Sequence, residues 1–164
     1  MTDHHDVPRI ASASREIAAS TERIFELIAD PALQPRWDGN GNLAAASAGQ
    51  RIRNVGEVFT MTLTGDGAVR ENHVVEFERD RRIAWEPVLK ETDHPEAQAN
   101  IGVNAHLRWR WELTPQPDGG TLVTESYDLS RCPEWLHEAT REGEDWRQAM
   151  EASLENLARM VEGT

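Results

Sequence analysis

The run Ala105-His106-Leu107-Arg108-Trp109-Arg110-Trp111-Glu112-Leu113 alternates apolar and polar side chains over nine residues without a break. Successive side chains of an extended chain point to opposite faces, so this pattern is a β-strand with one face covered and the other in water. The covered face carries Leu107, Trp109 and Trp111, and so two of the six tryptophans in the chain. That is more aromatic bulk than a sheet needs simply to meet a helix. Large aromatics can fill a core with no ligand involved. They can equally wall a cavity, and the rest of the sequence bears on which.

At 164 residues the chain has the length of one ordinary domain, able to bury about 70% of the surface that its unfolded form exposes. We read residues 1–164 as a single domain with its ordered core over about 9–162. Lys and Arg number 17 against 29 Asp and Glu, a net charge of -12. Such a chain repels polyanions at long range, which argues against nucleic acid and anionic membrane surfaces as partners. No 18 apolar residues occur together, and Met1 to Arg9 has no apolar run behind a basic cluster, so no membrane insertion is expected and the location is read as cytoplasmic. Cys132 is the one cysteine. It can form neither an internal disulfide nor a thiolate metal cluster, and a packing role is its plain reading.

The elements separate along the chain. Arg9 to Ala18 alternates weakly and is rich in small residues, a first strand that lies close to something. Ser20 is placed to cap a helix with Glu22 in its first turn and Ile24, Phe25, Leu27 and Ile28 as its apolar stripe. Asp30-Pro31 ends it and opens a second short helix to about Trp37. Asp38-Gly39-Asn40-Gly41-Asn42 is a turn. Strands are expected over Leu43 to Asn54, Glu57 to Leu63, Val69 to Phe77, Arg82 to Pro87, Asn104 to Thr114 and Thr121 to Leu129. Short turns at Gly65-Asp66-Gly67, Arg79-Asp80-Arg81 and Pro117 to Gly120 make them an antiparallel meander. One connection, Val88 to Val103, is sixteen residues long. A loop of that length tends to be functional, and with the Trp37 to Asn42 segment it is expected to form the mouth of any cavity. Finally Trp146, Met150, Leu154, Leu157 and Val161 recur at spacings of four, four, three and four, one apolar stripe on a helix expected over Arg141 to Glu162 and otherwise charged by Glu142, Glu144, Asp145, Glu151 and Glu155.

The order of one strand, two helices, six strands and a long C-terminal helix resembles the START-like helix-grip superfamily, also called SRPBCC. Within it the chain is similar to the group labelled polyketide cyclase/dehydrase and lipid transport proteins. The carrying residues are Glu16 to Phe25, Ala29-Asp30-Pro31, Trp37, Gly56-Glu57-Val58-Phe59, Arg81 to Trp85 and Gly119 to Tyr127. The resemblance spans about Arg9 to Val161. It implies an α+β fold in which a curved antiparallel sheet of about seven strands wraps the C-terminal helix, with two short helices after the first strand and an apolar cavity between sheet and helix. It does not imply one activity, because such folds host hydrolases, cyclases and carriers.

Period-two parity nominates the wall. With Leu107, Trp109 and Trp111 inward, the last strand turns Thr121, Val123, Glu125, Tyr127 and Leu129 inward. The third strand offers Phe59, Met61 and Leu63, and the fifth Ile83 and Trp85. On the fourth the more apolar face is Val75 and Phe77, which brings His73 and Glu71 with it. The expected ligand-contacting set is therefore Trp37, Phe59, Met61, His73, Trp85, Trp109, Trp111, Glu125, Tyr127, Trp146 and Met150. A carboxyl desolvated among aromatics is pushed toward its neutral form, which suits Glu125 to anchor a ligand or, with His73 and Tyr127, to act as acid or base. The alternative is that Glu125 lies near the sheet end and meets an arginine or water.

His4-His5-Asp6 lies in an end expected to be flexible, His94, His106 and His137 show no ligand spacing with a carboxylate or cysteine, and there is no nucleophile elbow, phosphate loop or dinucleotide fingerprint, so neither metal nor cofactor is implied. Three classes follow: a binding protein for a small hydrophobic molecule, aromatic, polyketide-like or lipid-like; a cyclase, aromatase or dehydratase using Glu125, His73 and Tyr127; and a ligand-free interaction module. The chain is expected as a monomer or homodimer.

Overall fold

The computed structural model describes residues 9–141 and 143–162. His4, His5, Asp6 and Glu142, weighed above, lie outside the described residues. The elements are β1 (Ile10–Ile17), α1 (Thr21–Ala29), a 3₁₀ turn (Pro31–Leu33), α2 (Gln34–Trp37), β2 (Leu43–Ala45), β3 (Val58–Leu63), β4 (Val69–Glu78), β5 (Arg82–Glu91), a 3₁₀ turn (Pro95–Asn100), β6 (Arg108–Pro115), β7 (Thr121–Asp128), α3 (Glu134–Ala139), a 3₁₀ turn (Glu144–Trp146) and α4 (Arg147–Glu162). The seven strands form one antiparallel sheet in the order β1-β7-β6-β5-β4-β3-β2. Its concave face holds α4, whose Met150, Leu154, Leu157 and Val161 are all buried. This is the helix-grip arrangement.

The caps act as the sequence indicates. Ser20 Oγ accepts from the Arg23 N–H at 3.3 Å, and Asp30 accepts from the Ala32 N–H at 3.1 Å, so each helical start has its first orphan donors satisfied.

Several boundaries differ from the sequence expectation, each for a local reason. The second strand stops at Ala45 because the chain then turns through Gly49 and Gly56, both at positive φ. Within that stretch Gln50 stands in for a strand neighbour. Its Oε1 accepts from the Thr60 N–H at 2.9 Å and its Nε2 donates to the Thr60 carbonyl at 3.1 Å, which blunts the exposed edge of β3. The fifth strand runs past Pro87 to Glu91. Its pairing with β6 has ended at Trp85–Trp109, so Pro87 falls where β5 has become an edge that tolerates a missing N–H. The expected long loop thereby shrinks. The sixth strand starts at Arg108 instead of Asn104, since His106 takes a left-handed conformation at φ 60°. The last helix starts at Arg147, because Gly143 at φ 83° turns the chain into a 3₁₀ segment first, and α3 precedes it.

The most consequential departure is in β4. Val74 pairs with Trp85, but Glu76 pairs with Ala84. Two steps on β4 therefore match one on β5, a bulge that leaves Val75 as the extra residue and reverses parity along the strand. Phe77 faces inward opposite Ile83, as expected, but upstream of the bulge the inward residues are Val74, Asn72 and Arg70. His73 sits between Val58 and Glu86 on the convex face, and Glu71 goes with it. Val58 is exposed there.

Most of the buried apolar side chains fall into two clusters. One joins α1, the inner half of α4 and the sheet around Trp111, Leu113 and Val123. The other gathers Ala11, Tyr127, Leu129, Cys132 and Met150, with Trp109 and Trp146 against it. The candidate site lies between them.

Candidate functional site

Paired residues of an antiparallel ladder share a face, so register sets the wall in order. Leu113 pairs with Val123, Trp111 with Glu125 and Trp109 with Tyr127. Trp111 and Trp109 are flanked on β5 by Ile83 and Trp85. On β1 the neighbours of Glu125 and Tyr127 are Ala13 and Ala11, whose small size leaves room where the large residues stand. The close approach that the alanine-rich first strand implied is real: a Cβ on Gly143 would come within 3.0 Å of both Ala11 and Tyr127.

Over these rungs lie Ala149, Met150 and Ser153 of α4, Gln34 and Trp37 of α2, Asp38 after it, and Leu136 of α3. Together they enclose a cavity of about 350 Å³, within the roughly 300–1,000 Å³ of small-molecule sites. Trp111 at its inner end is 0% exposed, whereas Val103 and Trp135 on its rim are 57% and 62% exposed. The cavity thus runs from core to surface, and its mouth is apolar. Edge-to-face contacts fix the aromatic wall: Trp37 on Trp111 at 5.1 Å, Trp109 on Tyr127 at 4.5 Å and Trp109 on Trp146 at 6.0 Å between ring centroids.

Of the residues nominated from sequence, the cavity brings together Trp37, Met61, Trp85, Trp109, Trp111, Glu125, Tyr127, Trp146 and Met150. Phe59 does not line it; it is buried behind Trp85 with ring centroids 5.4 Å apart. His73 does not either, because of the β4 bulge, and so cannot meet Glu125. The bulge puts Arg70 and Asn72 in the wall instead. Parity reasoning missed these two because it anchored on Val75 and Phe77, which straddle the inserted residue. Gln34 and Asp38 were also missed, since a short helix and a turn carry no period to read.

Polar accounting sets this cavity apart. Buried side-chain polar atoms almost always have a partner. Among the described residues four make no hydrogen bond of ordinary geometry: Gln34 Nε2, Trp111 Nε1, Glu125 Oε2 and Trp146 Nε1, the last lying near enough to the Tyr127 hydroxyl to oppose its upward shift. All four belong to residues that line this one cavity. Trp37 shows the ordinary case, its indole N–H donating to the Leu27 carbonyl at 2.8 Å.

The charges here are unusual as well. Burial, reinforced by the charge of Asp38, holds the Glu125 carboxyl well above its ordinary range, toward the neutral acid. Burial also raises Asp38, against the opposing pull of backbone N–H donors that include Gly41 at 3.1 Å. The Tyr127 hydroxyl is pushed up to about 12 by burial and stays protonated. Cys132, raised to about 11 mainly by burial, remains a thiol and no nucleophile. Desolvation lowers Arg70 while Tyr127 and Asp38 pull it back up.

The convex face is the opposite. There, against the cost of burial, Glu76 is held toward the ionised carboxylate by Arg110 at 2.7 Å and Arg108 at 2.9 Å, and Glu86 by Asn104 at 3.0 Å and Arg108 at 2.9 Å. On that face Glu76, Glu86, Arg108, Arg110 and Asp128 are bound to one another, whereas Arg70 on the concave face has no such partner.

An antiparallel sheet gripping a helix over an aromatic cavity defines the helix-grip class of fold. The chain belongs to the polyketide cyclase / dehydrase and lipid transport family, whose sequence model matches residues 9–162. No curated protein matches it. Among solved structures, protein Ms6760 from Mycobacterium smegmatis is 19% identical with a TM-score of 0.66, covering 99% of this chain and 98% of that one. A protein from Arthrobacter aurescens is 17% identical at a TM-score of 0.69, over 94% and 87%. DynU16, a protein of the dynemicin biosynthetic locus, is 18% identical at a TM-score of 0.56, over 95% of this chain and 48% of its own. At these identities the likeness is one of fold. Among the described residues no helix is long and apolar enough to cross a membrane.

Proposed function

We propose that the protein binds a small hydrophobic molecule with an aromatic or polyketide-like ring body in the cavity between sheet and α4. One observation carries the reading: the four buried polar atoms without a hydrogen-bond partner all belong to residues that line the same aromatic cavity. Leaving a buried donor or acceptor unpaired costs about 1–3 kcal/mol each, so a fold that concentrates them in one place gains by receiving a molecule there. The family's description covers both polyketide cyclases and lipid transport, and the aromatic wall of Trp37, Trp109, Trp111, Tyr127 and Trp146 suits a ring body.

A second reading, cyclase- or dehydratase-type catalysis, draws on the Glu125 carboxyl, whose neutral form is a general acid beside the aromatic wall. In it Asp38 replaces His73 as the second titratable group, and Tyr127 stays a hydrogen-bond donor.

The test is titration with 2-naphthalenemethanol, a neutral aromatic probe, followed by tryptophan fluorescence. The wild-type protein should quench saturably at one site. Ala105→Trp, which fills the cavity wall near the mouth, should abolish the response without loss of folding. Linear, unsaturable quenching, or equal binding by the filled variant, contradicts the proposal.

A further inference from the structure

The unpaired groups of the cavity share a chemical sense. The indole N–H groups of Trp111 and Trp146 and the amide N–H₂ of Gln34 can only donate. Arg70 adds a guanidinium with its donor fork. It lies half-buried in the wall, between Met61 and Leu89 on the flanking strands. Among the described residues it makes no hydrogen bond and no ion pair within 4.0 Å, whereas the convex-face arginines Arg82, Arg108 and Arg110 are bound by carboxylates. Asp38 lies close enough to feel its charge but is occupied by backbone N–H groups of its own turn. Its lone positive charge and donor excess ask for oxygen acceptors, and for one anionic oxygen in particular.

Resting on the reading of the cavity as a small-molecule site, we propose that the ligand is an organic acid: an apolar ring system packed against Trp109, Trp111 and Trp146, with a carboxylate or enolate oxygen held by Arg70. The buried Glu125 carboxyl in the same wall, pushed toward its neutral form, supports this. As an acid it is a further donor toward the same ligand, and it brings no second negative charge to repel an anion. The net charge of -12 does not oppose it at contact, because fields beyond a Debye length of about 8 Å are screened at physiological ionic strength. The guanidinium acts inside that distance.

The experiment is calorimetric titration of wild-type protein, Arg70→Met and Arg70→Lys with 2-naphthoic acid and with its neutral counterpart 2-naphthalenemethanol at pH 7. Because Arg70 has no partner to lose, Arg70→Met should fold at least as stably as wild type. It should bind the acid about tenfold or more weakly, the loss expected for one charge-assisted contact. Arg70→Lys should recover part of that, and the alcohol should bind all three proteins alike. If Arg70→Met weakens acid and alcohol equally, or if the alcohol binds wild type and the acid does not, the assignment of Arg70 fails while the cavity reading stands. If neither probe binds wild type, both fall.

Discussion

Glu125 shows how far one residue can be read from sequence. Strict alternation from Val123 to Leu129, with no glycine to permit a bulge, required it to share a face with Tyr127, and both line the cavity. The same logic failed for His73, because the bulge at Val75 arises without glycine or proline and is visible only in the unequal register against β5. The burial of Glu125 has a consequence for stability. Its folded pKa lies above the ordinary 4.5, so between the two values the folded state binds more protons than the unfolded one and stability falls as pH rises. Glu125→Gln removes that penalty and keeps the shape. Its urea midpoint should equal or exceed that of wild type, with a gap that is small near pH 4.5 and widens upward through the folded pKa. Arg70 and Tyr127 face the same cavity and, with the convex-face carboxylates, are common to both proteins and largely cancel in the difference; the repulsion from Asp38 is part of the penalty that Glu125→Gln removes. A gap that is constant with pH would show that Glu125 titrates as if in water.

At the scale of elements, periodic segments were legible and aperiodic ones were not. The α4 stripe, the β6 and β7 faces and both caps follow from spacing and side-chain chemistry. The turn after α2 is legible as a turn from Asp38-Gly39-Asn40-Gly41-Asn42, but its seating on α4, which fixes one side of the cavity, is not. Gly39 donates its N–H to Ser153 Oγ at 2.8 Å, and Asn156 Nδ2 holds the Trp37 carbonyl at 3.2 Å. A Cβ on Gly39 would meet the Ala149 carbonyl oxygen at 2.3 Å and the Ser153 nitrogen at 2.6 Å, both backbone. Neither can rotate away. Gly39→Ala should therefore lower stability by about 1–3 kcal/mol, the usual cost of overpacking. It should also weaken ligand binding by moving Asp38 and Trp37 outward. Thermal unfolding and probe titration of the variant check both, and an unchanged melting temperature would mean that the turn is not clamped on α4. The short α3, which carries the rim residue Trp135, was invisible for another reason: six residues are too few for a helical period to declare itself.

For the whole molecule, the two faces of one sheet divide the work. The convex face pairs its charges into a lattice of Glu76, Glu86, Arg108, Arg110 and Asp128, while the concave face leaves donors unpaired between two apolar clusters. That contrast is the central claim, and it was only half legible. Alternation placed the aromatic wall, but pairing states depend on register and on a turn that sequence does not encode by period. The indole N–H groups report on it one by one in a ¹H–¹⁵N spectrum titrated with 2-naphthoic acid. Trp111 and Trp146, whose N–H groups make no hydrogen bond of ordinary geometry, should shift strongly and saturate together. Trp37, already bonded to the Leu27 carbonyl, should move little. Trp111 and Trp146 resonances that stay in place while the probe binds, or that move no more than Trp37, would contradict the account.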